Sequence, residues 1–67
     1  MAYISSLSEK ALEILQASGK TKFTTLDLIT NGFSVETANA AIKELEDADY
    51  IFIIKTYINE NVAFELL

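Results

Sequence analysis

The hydrophobic positions in the first part of the chain recur at helical spacing and predict an amphipathic helix. Ser6 is a suitable N-cap, Glu9 three residues later completes a capping box, and Gly19 is a suitable C-terminal stop. The sequence therefore predicts a helix between Ser6 and Gly19, with one apolar face. The predicted face contains Leu7, Ala11, Leu12, Ile14 and Leu15.

Two further helices are predicted before residue 50, after a short extended segment at residues 20–23. Thr24 and Asp27 have capping-box spacing at the start of a short helix that ends at Asn31 and Gly32. The third helix begins after the N-cap Ser34 and ends near residues 47–49, where aspartate tolerates a left-handed backbone. The predicted apolar positions are Leu26, Leu28 and Ile29 in the second helix, and Val35, Ala38, Ile42 and Leu45 in the third.

From Tyr50 onward, β-branched and aromatic residues alternate in two runs, which predict a β-hairpin with its turn at residues 59–61. Phe52 is assigned to the core together with Phe64, while Ile51 and Ile53 are assigned to the opposite face. Both faces of the first strand are apolar, and a one-residue slip exchanges them. The register of the hairpin is therefore the weakest structural prediction.

Composition restricts the function classes of this single predicted domain, residues 1–67. The chain has 5 lysines, 10 acidic residues, a net charge of -5, and no histidine, cysteine or arginine. It lacks thiol nucleophiles and the usual zinc ligands, so we expect no enzyme, no metal site and no cofactor. Its longest apolar run, residues 50–54, is too short to span a membrane and no export signal is recognisable, which predicts a cytoplasmic protein.

Three stretches, residues 23–29, 33–45 and 45–51, together resemble the winged helix-turn-helix family. The resemblance covers nearly the whole chain and implies an α+β winged helix: three helices, a short strand and a C-terminal β-hairpin wing. It also implies a DNA-binding transcriptional regulator whose third helix, from Ser34, reads the major groove while the wing contacts the backbone. The implied contact residues are Ser34, Thr37, Asn39, Lys43, Lys55, Tyr57, Asn59 and Asn61.

The charge distribution departs from that pattern. From Ser34 onward the chain has two lysines, Lys43 and Lys55, and seven acidic residues. Phosphate neutralisation supplies most non-specific DNA affinity, so this half is poorly suited to bind DNA. Thr37 and Asn39 are equally well explained as solvated polar positions. The alternative function is an acidic protein-interaction module that binds a basic partner, such as an adaptor or inhibitor of a nucleic-acid enzyme encoded by a phage, virus or plasmid.

Apolar residues outside the predicted core exceed what a small monomer covers easily. We therefore expect a homodimer. The predicted interface contains Tyr3, Ile4, Ile51, Ile53 and Leu67.

Overall fold

In the described residues, three helices and three strands follow one another in the order expected from the sequence. The computed structural model describes residues 4–59 and 61–67. Its strands form an antiparallel sheet in the order β1-β3-β2, which confirms the α+β class and is compatible with a winged-helix-like fold. The elements are α1 (Ser6–Ala17), β1 (Lys22–Thr24), α2 (Thr25–Ile29), α3 (Val35–Asp47), β2 (Ile51–Thr56) and β3 (Val62–Leu66).

The N-cap of α1 is Ser5, so the prediction of Ser6 is wrong by one residue. The Ser5 hydroxyl accepts the Ser8 N–H at 3.4 Å, and the Ser8 side chain is buried. Leu7 is consequently exposed rather than part of the apolar stripe. Gly19 follows the C-cap with a φ of +79°, a left-handed conformation that glycine adopts without steric cost.

The predicted starts of α2 and α3 are confirmed, but α2 ends at Ile29 rather than at Asn31 and Gly32. The Asp27 carboxylate accepts the Thr24 N–H at 2.8 Å at the start of α2. At the start of α3, the Ser34 hydroxyl accepts the Thr37 N–H at 3.2 Å, while the Thr37 hydroxyl accepts the Ser34 N–H at 3.0 Å. Asp49, with a φ of 64°, provides the left-handed residue that separates α3 from β2.

Two apolar residues that were predicted to be buried, one leucine and one valine, are exposed. A threonine next to the leucine is buried instead. Leu26 and Val35 lie on the surface, whereas Thr25 is fully buried. The five-residue helix α2 follows β1 directly, so the direction of β1 determines which side of α2 faces the core. The buried Thr25 hydroxyl accepts the Val62 N–H at 2.8 Å, and this hydrogen bond ties α2 to β3.

Replacing Thr25 with Val is expected to lower the free energy of unfolding by about 1–3 kcal/mol, because the Val62 N–H loses its acceptor at nearly constant side-chain volume. Denaturant unfolding followed by circular dichroism measures this change. Thr30→Val is the matched control, since the Thr30 hydroxyl is exposed and donates only to carbonyls of its own helix. Equal losses for the two variants would contradict the anchoring role of Thr25.

A β-bulge interrupts the pairing of β2 with β3. Ile53 is paired with Phe64, but the next pair is Lys55 with Ala63. Ile54 is therefore an extra residue on β2. A bulge of this kind changes which side chains after it point to each face of the sheet.

The face predicted for β2 is wrong. Ile51 is only 2% exposed and belongs to the core, and Ile53 is half-buried against it. Phe52, at 58% exposed, and Ile54 lie on the outside. Ile51 pairs with Leu66 and Ile53 with Phe64, so the branched aliphatic side chains share the inner face with β3. The predicted alternation along β2 was offset by one residue, so the core-facing and solvent-facing side chains were exchanged.

Phe64 lies at the centre of the core. It is fully buried and is paired with both Phe23 on β1 and Ile53 on β2. The ring centroids of Phe23 and Phe64 are 5.8 Å apart. The buried apolar residues are Ala11, Leu12, Leu15, Phe23, Leu28, Phe33, Ala38, Ala41, Ile42, Leu45, Ile51 and Phe64.

None of the helices in the described ranges is long and apolar enough to cross a membrane.

Candidate interaction groove

A groove separates α3 from the hairpin, and we call it the α3–hairpin groove. Helix α3 forms one wall, and the inner face of the hairpin near its tip forms the other. Ile51, at the start of β2, is buried in the core, whereas Ile53, two residues along the strand, is half-buried and lines the groove. The lining residues are Glu36, Asn39, Ile42, Lys43 and Glu46 from α3, and Ile53, Thr56, Tyr57 and Val62 from the hairpin.

The polar residues of the helical wall follow from the periodicity of α3. Its buried side packs on the core through residues that include Ala38 and Leu45. Glu36, Asn39 and Lys43 are spaced by three and four residues, so they form one row beside that buried side. Glu46 continues the row toward the C-terminal end of α3. The groove thus receives side chains from about three turns of helix.

The groove is predominantly acidic on its helical wall. Glu36 and Glu46 are exposed carboxylates, and Asp47 is exposed beside them, whereas Lys43 is the one cation on this wall. Lys55 lies outside the groove, where its ammonium is 4.9 Å from the centroid of the Tyr57 ring. Carboxylates thus outnumber ammonium groups two to one among the lining residues of the helical wall, which favours a cationic ligand on that wall.

Asn39 carries an unsatisfied hydrogen-bonding atom in this row. Its Oδ1 is buried and finds no donor among residues 4–59 and 61–67. A buried polar atom without a partner costs free energy. Because this atom has no accessible surface, a ligand can contact it only if the Asn39 side chain turns toward the groove.

The eight residues that the winged-helix resemblance implied for nucleic-acid contact lie in three parts of the structure. Asn39, Lys43 and Tyr57 line the α3–hairpin groove. Ser34 and Thr37 cap α3 and border a separate hollow beside α1. The cap already uses both hydroxyls, which explains these two polar residues without a ligand.

The remaining three of those residues lie at the tip of the hairpin. Lys55 and Asn59 are exposed on its outer side. Asn61 supports the turn itself: its carbonyl accepts the Tyr57 N–H at 2.8 Å, and its N–H donates to Asn59 Oδ1 at 3.2 Å. The two asparagines therefore have a structural role in the described part of the tip.

Two of the residues predicted for the dimer interface are not available as outer surface, which corrects that prediction. Ile51 is in the core and Ile53 lines the groove, so neither provides spare outer surface. Ile4 is half-buried against the core, and Leu67 is exposed. Tyr3 lies outside the described residues.

Sequence reasoning did not assign Glu36 and Glu46 to a site. Both residues fit an isolated amphipathic helix, with Glu36 near the positive end of the helix dipole and Glu46 as a solvated charge. Their spacing with Asn39 and Lys43 was the available signal. It becomes informative only once the hairpin is known to form the opposite wall.

Glu44 lies on the other flank of α3 and ties it to the N-terminal end of α1. Its carboxylate accepts the N–H of Ser5. This bond, followed by bonds from the hydroxyls of Ser8 and Ser5, holds the pKa of Glu44 below its ordinary value. The stabilisation is therefore fully present above the unfolded-state pKa of about 4.5 and is lost as the pH falls through the lower folded-state pKa.

Glu44→Gln is expected to reduce the free energy of unfolding at neutral pH, and the difference from the wild type is expected to shrink below a pH of about 4.5. Denaturant unfolding at a series of pH values measures this. Glu13→Gln, at an exposed position of α1, controls for the loss of one carboxylate. A difference that stays constant with pH would contradict the assigned contact.

Within the described ranges, no group of three or more His, Cys, Asp or Glu residues is arranged to hold a metal ion. The α3–hairpin groove is the candidate site, and its charged groups are the carboxylates of Glu36 and Glu46 and the ammonium of Lys43. Comparisons with protein-family models, curated proteins and solved structures found no match to this chain.

Proposed function

We propose that this chain is a protein-interaction module that binds a basic segment of a partner protein in the α3–hairpin groove. The observation that carries the proposal is the row of acceptors on α3. Glu36 and Glu46 present exposed carboxylates on either side of Asn39 along the helical wall of the groove. An arginine guanidinium is donor-only and has five N–H groups, so it suits these carboxylates.

The length of the row defines the kind of segment that fits. Glu36 and Glu46 are ten positions apart on α3, which corresponds to about 15 Å along the helix axis. An extended segment covers that distance in about four to five residues. Lys43 lies between the two glutamates and disfavours a cation in the middle. We therefore expect two basic residues about four positions apart, with neutral residues between them.

The specific fold proposed with this function is the winged helix, and DNA binding through α3 is the second candidate function. In its favour, Lys43 and Lys55 are both exposed, one on α3 and one on the hairpin. Against it, a phosphate backbone in the groove would approach Glu36 and Glu46. Because phosphate contacts supply most DNA affinity, we rank protein binding first.

Fluorescence anisotropy separates the two candidates. The first ligand, called the arginine peptide, is a labelled glycine-serine peptide with two arginines about four residues apart. The second is a random-sequence DNA duplex at the same low salt. We expect saturable binding of the arginine peptide and no binding of the duplex. Binding of the duplex without the peptide would overturn the proposal in favour of DNA, and binding of neither would overturn both.

A further inference from the structure

Strand β2 is an open edge of the sheet. The sheet order is β1-β3-β2, so β2 has β3 on one side and, in the part of the chain that the structure describes, no strand on the other. Open edges are templates for pairing with another strand. The β2 sequence, residues 51–56, is strongly β-forming and contains a single charge, Lys55.

The hydrogen bonds at the start of the hairpin identify which backbone groups face the open side. The Leu67 N–H donates to the Tyr50 carbonyl at 3.1 Å, so Tyr50 directs its backbone groups toward β3. Successive residues of an antiparallel strand alternate between the two sides. Phe52 therefore also faces β3, whereas the N–H and carbonyl groups of Ile51 and Ile53 point away from the sheet.

We propose that β2 pairs antiparallel with β2 of a second copy of this chain, about a two-fold axis at Phe52. In this register Ile51 of each copy lies opposite Ile53 of the other, and each such pair exchanges both backbone hydrogen bonds. The two Phe52 residues then form a non-hydrogen-bonded pair, the position at which side chains approach most closely. The result is one continuous six-stranded sheet.

The exposed side chains of β2 fit this arrangement. Phe52 and Ile54 are both about half exposed or more, and they are bulky apolar residues on a strand edge. Pairing buries the two phenyl rings against each other, and cross-strand aromatic pairs are among the more favourable ones. The homodimer expected from the sequence thus uses the backbone of Ile51 and Ile53 and the side chain of Phe52.

The local charges select the antiparallel orientation and a second copy as the occupant. Asp49 lies just before β2, and Lys55 is near its end. Antiparallel pairing brings Lys55 of each copy toward Asp49 of the other, so the edge is complementary to itself in charge. A parallel arrangement would place like charges together. This complementarity opposes the general repulsion between two chains of net charge -5.

Hydrogen exchange of the wild-type chain at increasing concentration tests the register, with sedimentation equilibrium reporting the dimer fraction. We expect the Ile51 and Ile53 amides, which face away from the sheet in the monomer, to exchange about tenfold more slowly when one chain in ten remains monomeric, whereas the Phe52 amide, which faces β3, is protected already in the monomer. A chain that stays monomeric at about 1 mM would overturn the proposal. Dimerisation without added protection of Ile51 and Ile53 would also overturn it.

A pair of matched variants tests the interface by its side chains. Phe52→Glu is expected to weaken dimerisation at least about tenfold, because it replaces the central apolar contact with two facing carboxylates. Leu26→Glu is the control: Leu26 is 54% exposed and lies on α2, and the substitution changes the net charge equally. Both side chains are on the surface, so both variants should retain the dispersed NMR spectrum of a folded chain. Equal weakening by the two variants would contradict the proposed interface.

Discussion

Replacing Phe64 with Ala is expected to remove about 3–5 kcal/mol from the free energy of unfolding, the largest loss predicted for a single substitution in this chain. Phe64 is fully buried and lies on the central strand, opposite both Phe23 and Ile53. Truncation leaves a cavity that the two flanking strands cannot close without breaking their pairing. Since domains of this size are only marginally stable, the variant should be largely unfolded at room temperature.

Thermal and denaturant unfolding by circular dichroism measure the effect, and Phe52→Ala is the matched control. Phe52 has the same side chain and lies in the same sheet, but on its exposed face. Measured at low concentration, where the chain is monomeric, its truncation should cost less than about 1 kcal/mol. Equal losses at Phe52 and Phe64 would mean that the faces of the hairpin are assigned incorrectly.

The double substitution Glu36→Lys and Glu46→Lys is expected to weaken binding of the arginine peptide about a hundredfold. Each glutamate offers a charge-assisted hydrogen bond to one arginine, and each such contact corresponds to about a tenfold change in affinity. Reversing the charge also adds repulsion between each introduced lysine and an arginine of the peptide. Anisotropy titration of the two chains with the same labelled peptide measures the ratio of dissociation constants.

The control variant has the same net charge, but its two substitutions lie on a different helix. Glu9→Lys with Glu13→Lys changes two exposed glutamates of α1, so the total charge of the chain changes equally. We expect only a few-fold loss of peptide affinity from the altered long-range field. If both double variants lose affinity equally, binding follows net charge, and the groove is not the site.

The sequence predicted the helices well because their ends are determined by local chemistry. Ser34 with Thr37, Thr24 with Asp27, and the left-handed Asp49 are all short-range signals. The N-cap of α1 was misplaced because adjacent serines offer two equivalent caps. The choice of Ser5 depends on burial of Ser8, which is a tertiary contact.

The hairpin faces were not predictable in the same way. Both faces of β2 are apolar, so the alternation pattern did not distinguish Ile51 from Phe52. The bulge at Ile54 adds a second ambiguity, because it shifts the alternation within the strand. Burial of Thr25 was also missed, since a threonine in a short helix carries no signal for its partner, the Val62 N–H.

The candidate site was predicted in part. The winged-helix resemblance selected Asn39 and Lys43, which do share the groove, but it also selected Ser34, whose hydroxyl caps α3. Glu36 and Glu46 were not selected, because charged residues on an exposed helical face usually have no partner. Their role depends on where the hairpin packs, which local sequence patterns do not determine.

The most direct test of the central claim is a heteronuclear NMR titration of the labelled chain with the arginine peptide, followed by the same titration with duplex DNA. We predict peptide-induced amide shifts confined to residues 36–46 of α3 and 53–57 of the hairpin, and a flat response to DNA. Peptide shifts spread over the acidic surface, or DNA-induced shifts on α3 without a peptide response, would contradict a groove that binds a basic protein segment.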